Sequence, residues 1–164
     1  INMQKIVLTL ALAILVVGGL AGLKAIQPQK TSSVSASAGL LKLDENFYDF
    51  GKISMAAGKV SHEFKIVNSG TEPLKIEKIY TSCMCTNATL EVGGRKFGPY
   101  GMPGHGFVPR VGKEIGPDME AVILVEFDPS AHGPAGVGPI ERVVVVEDDS
   151  GPIAEITIKA VVTP

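Results

Sequence analysis

Residues 59–68 read KVSHEFKIVN, and this alternation decides the fold. Val60, His62, Phe64 and Ile66 fall on one side of an extended chain, with Ser61, Glu63, Lys65 and Val67 on the other. A period of two with one apolar face describes a strand covering a core on one side. The same period recurs downstream. Leu74 and Ile76 open a second alternation that changes phase at Glu77-Lys78 and resumes at Ile79, as a bulge would cause. Ala121, Ile123, Val125 and Phe127 share a face, and residues 142–147 form a β-branched run. In 153–162, Ala154, Ile156, Ile158, Ala160 and Val162 alternate with Glu155, Thr157 and Lys159. Turn chemistry separates these runs at 68–73, 129–139 and 148–152. Short strands at this spacing, with no helical period after residue 40, predict an all-β, antiparallel β-sandwich.

Residues 86–118 interrupt the pattern with eight glycines and four prolines in 33 residues. They are expected to form a long functional loop inserted in the sandwich, tied down by Phe97, Tyr100, Met102, Phe107 and Val108. Within it, 87–92 and 95–97 form a short hairpin about Gly93-Gly94.

The folded domain is expected to span 40–164, behind two other segments. Ile6–Leu23 is uncharged and carries Thr9 as its one polar side chain. Eighteen residues in a helix reach about 27 Å, enough for a thin bilayer core. Residues 1–24 are therefore expected to be a transmembrane helix, an N-terminal membrane anchor or uncleaved signal, with a cleaved signal peptide as the rival. Residues 25–39 form a Ser-rich flexible linker. The expected placement is a single-pass protein of the cell membrane with its domain on the extracytoplasmic side. All seventeen acidic residues and twelve of the fifteen basic ones follow residue 40, a net charge of −5. That balance excludes nucleic-acid binding, which requires a basic face.

Both cysteines lie in Cys83-Met84-Cys85, where a strand pattern gives way to the glycine-rich segment. If 79–85 is extended, Ile79, Thr81, Cys83 and Cys85 share one side, with successive Cα atoms about 6.5–7 Å apart. That is near the upper limit for a disulfide, but two same-side thiolates converge readily on one metal ion. Following the strands up and down places the 98–106 loop and Ala131-His132-Gly133 at the same end as the cysteines. His62, near the start of its strand, joins them. The expected metal set is Cys83, Cys85, His105, His132, Met102 and His62, a soft donor set suited to copper(I) and acceptable to zinc. The competing reading makes His62 a hydrogen-bonded rim residue, Met84 and Met102 apolar plugs, and His105 and His132 loop residues. The cysteines are then buried and inert, or joined in a disulfide where the chain bends. There is no phosphate cradle before a helix, and although either cysteine could meet His105 as a Cys–His nucleophile, no substrate pocket or oxyanion donor can be named, so an enzyme is not expected.

Three stretches together resemble a known family. Phe47-Tyr48-Asp49-Phe50-Gly51-Lys52-Ile53, Val60-Ser61-His62-Glu63-Phe64 through Asn68-Ser69-Gly70, and Pro73-Leu74-Lys75-Ile76 leading into Thr81-Ser82-Cys83-Met84-Cys85-Thr86 resemble the bacterial domain-of-unknown-function 1573 family. Met84 stands where that family usually has glycine, and 86–118 is longer than its compact pattern. The resemblance implies a Hydin-type, Ig-like, exported domain and brings no established chemistry. Two functions follow: an extracytoplasmic binding domain with a soft-metal site at the cysteines, or a structural or protein-interaction module of the cell envelope with structural or redox-active cysteines.

Overall fold

The computed structural model describes residues 40–104 and 108–164. The expected anchor (1–24), the linker (25–39) and His105 lie outside the described residues. Among the described residues, no helix is long and apolar enough to cross a membrane.

Eleven strands form among the described residues: β1 Leu41–Leu43, β2 Phe47–Ser54, β3 Val60–Asn68, β4 Leu74–Ile76, β5 Lys78–Thr81, β6 Thr86–Val92, β7 Arg95–Tyr100, β8 Lys113–Ile115, β9 Glu120–Phe127, β10 Gly138–Glu147 and β11 Pro152–Thr163. One sheet runs β1-β3-β9-β6-β7, a second β2-β11-β10-β5, and β4 and β8 form a small third pair. The alternating residues do what their spacing implies. Phe64 and Ile66 on β3, Ile123 and Val125 on β9 and Leu90 on β6 are fully buried from one sheet. Ile79, Val144, Val146, Ile156 and Ile158 are fully buried from the other, and all belong to one core cluster. Each such side chain contributes about 1.5–3 kcal/mol relative to exposure, which sets the strand registers firmly.

Several expectations are corrected. The pairing is not wholly antiparallel: β2 runs parallel to β11, from Phe47 opposite Thr157 to Ser54 opposite Thr163. The 86–118 segment is not a loop insertion but supplies β6, β7 and β8. Its glycines serve the strands. Gly93 (φ 57°) and Gly94 (φ 73°) form a two-residue hairpin turn in the left-handed region, as the sequence suggested. Gly98 has φ 121°, and a Cβ there would lie 3.1 Å from the Tyr100 ring.

The phase change at Glu77 is not a bulge. It marks the passage from β4, paired with β8, to β5, paired with β10. Both backbone groups of Glu77 stay satisfied: its N–H donates to the Glu147 carbonyl (2.8 Å), and its carbonyl accepts from Val111 N–H (2.9 Å). Its buried carboxylate accepts from Lys75 Nζ at 2.8 Å and from Arg110 Nε. The Arg110 hydrogen bond, with that from Lys75, pulls the Glu77 carboxyl down to about 2 from its ordinary 4.5.

Asn68 closes the other end of β4. Its amide donates to the carbonyls of Glu72 (2.8 Å) and Ile115 (2.9 Å), while its Oδ1 accepts from Gly70 N–H (2.9 Å). The residue is fully buried, as are Gly70 and Ile115, so those two partners have no water to replace it.

Two outcomes are expected. Truncation in Asn68→Ala leaves at least one buried carbonyl and one N–H unpaired and should lower stability by about 2–3 kcal/mol in urea unfolding; a loss within ~0.5 kcal/mol, the range of an ordinary surface change, would contradict this role. Because the folded pKa of Glu77 is depressed, its stabilisation is full above about 4.5 and is lost as pH falls toward about 2. Unfolding midpoints measured from pH 7 to pH 2 should therefore fall less steeply below pH 4.5 in Glu77→Gln than in the parent, from a lower start at neutral pH.

Candidate functional site

The two cysteines occupy the turn that carries the chain from β5 in one sheet to β6 in the other. Thr81 ends β5 and Thr86 begins β6. Between them, Thr86 N–H donates to the Cys83 carbonyl (3.1 Å), closing a tight turn. The buried Thr81 hydroxyl lies 2.9 Å from the carbonyls of both Cys83 and Thr86 and donates to one at a time. The turn is pinned on both sides. Ser82 N–H donates to the Val143 carbonyl and Val143 N–H to Ser82 Oγ, each at 2.9 Å, while Asp128 N–H donates to the Cys85 carbonyl at 2.8 Å. The expected extended geometry is thereby overturned: the bend brings the cysteine Cα atoms to 5.3 Å, and the two sulfurs form a disulfide.

A histidine and an arginine meet this disulfide from separate elements. After β9, Asp128 Oδ1 accepts from Ser130 Oγ (2.6 Å) and Ser130 N–H (2.8 Å). The hydroxyl bond above all holds the Asp128 carboxyl below its usual range. This turn leads to His132, which precedes a 3-10 turn at Gly133–Gly136. His132 Nε2 stands 3.2 Å from Cys83 Sγ. The donor atoms of Cys83, Cys85 and His132 all lie within 4.8 Å of one another. On β10, Arg142 Nε donates to Cys85 Sγ at 3.2 Å, and Thr86 Oγ1 is 3.7 Å from the same sulfur.

The two cysteines are not equally buried. Cys83 is 9% exposed and Cys85 1%. His132 and Arg142, the two residues that contact the sulfurs, also line a hollow of about 340 Å³ together with Val137 and Ile140 among others. Met84, between the cysteines, is 50% exposed, so it is not the apolar plug of the competing reading.

Of the expected metal set, Cys83, Cys85 and His132 come together. His62 does not join them. It lies on β3, separated from β6 by β9, and its ring stacks on Tyr48 (centroids 3.6 Å apart) while Nε2 contacts Glu45 Oε1 at 2.6 Å. It is the hydrogen-bonded rim residue of the alternative reading. Met102 is half-buried just beyond β7, next to Gly101, whose carbonyl accepts from Thr81 N–H at 3.2 Å. His105 lies outside the described residues. Arg142 was missed by sequence reasoning, although a signal existed: it shares strand parity with the buried Val144 and Val146, so it turns inward at the end of its strand.

Comparison with known proteins agrees with the resemblance read from the motifs. Among curated proteins, none matches the chain. A protein of unknown function from Porphyromonas gingivalis W83 has a similar structure: 18% identity, TM-score 0.51, covering 74% of this chain and 46% of that one. A family 123 glycoside hydrolase from Clostridium perfringens is similar at 8% identity and TM-score 0.50, over 72% of this chain and 23% of the hydrolase. The PapD-like domain 7 of human CEP192 is similar at 10% identity and TM-score 0.45, covering 85% of this chain and 96% of that domain. The chain thus spans less than half the length of the first two. At these identities the likeness is one of fold alone, an all-β, sheet-rich domain. In sequence, the model of the family described as protein of unknown function DUF1573 matches residues 41–94, the stretch that carries the first strands and the cysteine motif.

Proposed function

We propose that this chain is a membrane-tethered, extracytoplasmic Ig-like binding domain whose Cys83–Cys85–His132 end takes up a soft metal ion when the disulfide is reduced. The observation that carries this reading is the convergence of two sulfurs and one imidazole nitrogen within 4.8 Å, supplied by a turn and a loop each closed by hydrogen bonds. Reduction frees two thiolates, and thiolate with imidazole is a donor set for Cu(I) or Zn(II). Charge favours copper(I). Two thiolates with Cu(I) leave one net negative charge beside the Arg142 guanidinium, whereas two thiolates with Zn(II) are already neutral. The tether is the apolar segment 6–23, followed by a serine-rich linker that gives the domain reach from the bilayer.

The test is anaerobic titration of the reduced full chain in detergent with Cu(I), and separately Zn(II), against a competing chelator. One ion per chain is expected, with copper held the more tightly. Binding should be lost in Cys83→Ser and Cys85→Ser, weakened at least about tenfold in His132→Ala, and unchanged in His62→Ala. Affinity no greater than that of an unfolded peptide carrying Cys83-Met84-Cys85 would sink the metal reading and favour the protein-interaction module, for which exposed Met84 and Val137 provide apolar contact.

A further inference from the structure

We infer that the Cys83–Cys85 pair is a directional thiol–disulfide exchange centre, with Cys83 the sulfur attacked and Cys85 the sulfur that leaves. This is independent of the metal reading and stands or falls separately from it. Three observations carry it, none of them the bond itself.

The first is access. Cys83 is the less buried residue of the pair, 9% exposed against 1% for Cys85, so the Cys83 side is the one an incoming thiolate approaches. The second is charge. Arg142 Nε is aimed at Cys85 Sγ at 3.2 Å, with the Thr86 hydroxyl on the same sulfur. A fixed cation stabilises negative charge arriving on a sulfur, and exchange is faster the better the leaving thiolate is stabilised. Arg142 is half-buried on β10, and its Nη1 also donates to the Glu141 carbonyl at 2.8 Å, which helps hold Nε against the sulfur; that sulfur has most to gain from the guanidinium when anionic. The third is space. His132 and Arg142, which contact the two sulfurs, line a hollow with Val137 and Ile140 as its apolar side. A cysteine-bearing segment of a protein dithiol fits such a surface, since its backbone needs apolar contact and its thiolate needs the positive side.

The step balances with a dithiol donor as co-reactant. One donor thiolate attacks Cys83 Sγ, forming a mixed disulfide as the Cys83–Cys85 bond breaks and its electron pair leaves on Cys85 Sγ beside Arg142. The donor's second thiolate then attacks its own sulfur in the mixed disulfide, releasing Cys83 as thiolate and leaving the donor oxidised to its disulfide. Two electrons pass to this protein, and solvent supplies the protons for its two thiols. Run in reverse, the reduced pair reduces a partner's disulfide.

The experiment follows reduction of the oxidised full chain by dithiothreitol, and traps the first intermediate with the monothiol 2-mercaptoethanol. After acid quench and alkylation of the free thiol, peptide mass spectrometry should place the mercaptoethanol adduct on Cys83 and the alkyl group on Cys85. An adduct mainly on Cys85 overturns the proposal, and this readout requires no variant. Reduction of Arg142→Gln should be slower by roughly tenfold, and Arg142→Lys should recover most of that rate. Circular dichroism of each variant should match the parent, so that a slowed rate reports the charge rather than the fold. A folded Arg142→Gln protein reduced at the parent rate also overturns the proposal. Failure of Cu(I) binding with the adduct on Cys83 leaves the exchange centre in place; tight Cu(I) binding with the adduct on Cys85 does the reverse.

Discussion

The chain must cross from one sheet to the other at residues 82–85, and most of what is chemically distinctive about this protein depends on that crossing. A strand leaving its sheet loses its ladder partners while still close to the core, so each freed backbone group needs another partner. Thr81 meets the requirement from within: its buried hydroxyl serves the carbonyls of Cys83 and Thr86 in alternation. The remaining bonds reach outward to Val143 on β10 and Asp128 after β9. Those anchors bind the turn to the two segments that carry Arg142 and His132. The site is therefore a consequence of how the crossing is satisfied, and a change that loosened the turn would separate the cysteines from Arg142 and His132, which β10 and the turn after β9 hold.

The second crossing, at Glu77, solves the same problem by other means. There the chain passes from the small β4–β8 pair to β5, and the backbone is satisfied by Glu147 and Val111. The side chain at the switch is a buried carboxylate compensated by Arg110 and Lys75, whose own heads face solvent. Such a cluster ties a remote part of the chain, around Arg110, to the switch point through charge, and so responds to acid. The cysteine crossing is tied by backbone and hydroxyl hydrogen bonds and by a disulfide with Arg142 on one sulfur, and so responds to reductants. The two devices give the domain different sensitivities at its two switch points.

Much of this was legible in the sequence because burial imposes period two wherever a strand has one dry face. β3, β9 and β11 read directly from Phe64, Ile66, Ile123, Val125, Ile156 and Ile158. Even the arrival of His132 near the cysteines followed from counting strands up and down. What failed had definite physical causes. Glycine and proline made 86–118 read as loop, yet Leu90 and Tyr100 are buried strand residues whose neighbours' glycines provide the hairpin turn and space for an aromatic ring. The phase slip at Glu77 is the same in sequence for a bulge and for a change of sheet; only the partner strands distinguish them. His62 was placed correctly along its strand and wrongly across the sheet, since strand order separates β3 from β6 by a full strand. The bend at Cys83–Cys85 depends on Thr81, whose part in it no periodicity encodes.

The asymmetry of the two sulfurs bears on how metal uptake and exchange relate. Both chemistries need negative charge on sulfur, and Arg142 favours both by the same contact. They differ in what they ask of Cys85. As a leaving group it needs only stabilisation, and burial beside a guanidinium provides it. As a metal ligand it must share an ion with Cys83 and His132, so the ion has to enter from the exposed His132 side and reach a sulfur with 1% exposure. A small, weakly hydrated monovalent ion that accepts low coordination meets that demand better than one that keeps a tetrahedral shell. The disulfide and the metal-bound dithiolate also use the same electron pairs on sulfur, so they exclude each other. A domain that bound an ion as proposed would hold it only while reduced, and oxidation of the pair would release the ion at the same end where the proposed dithiol partner would dock.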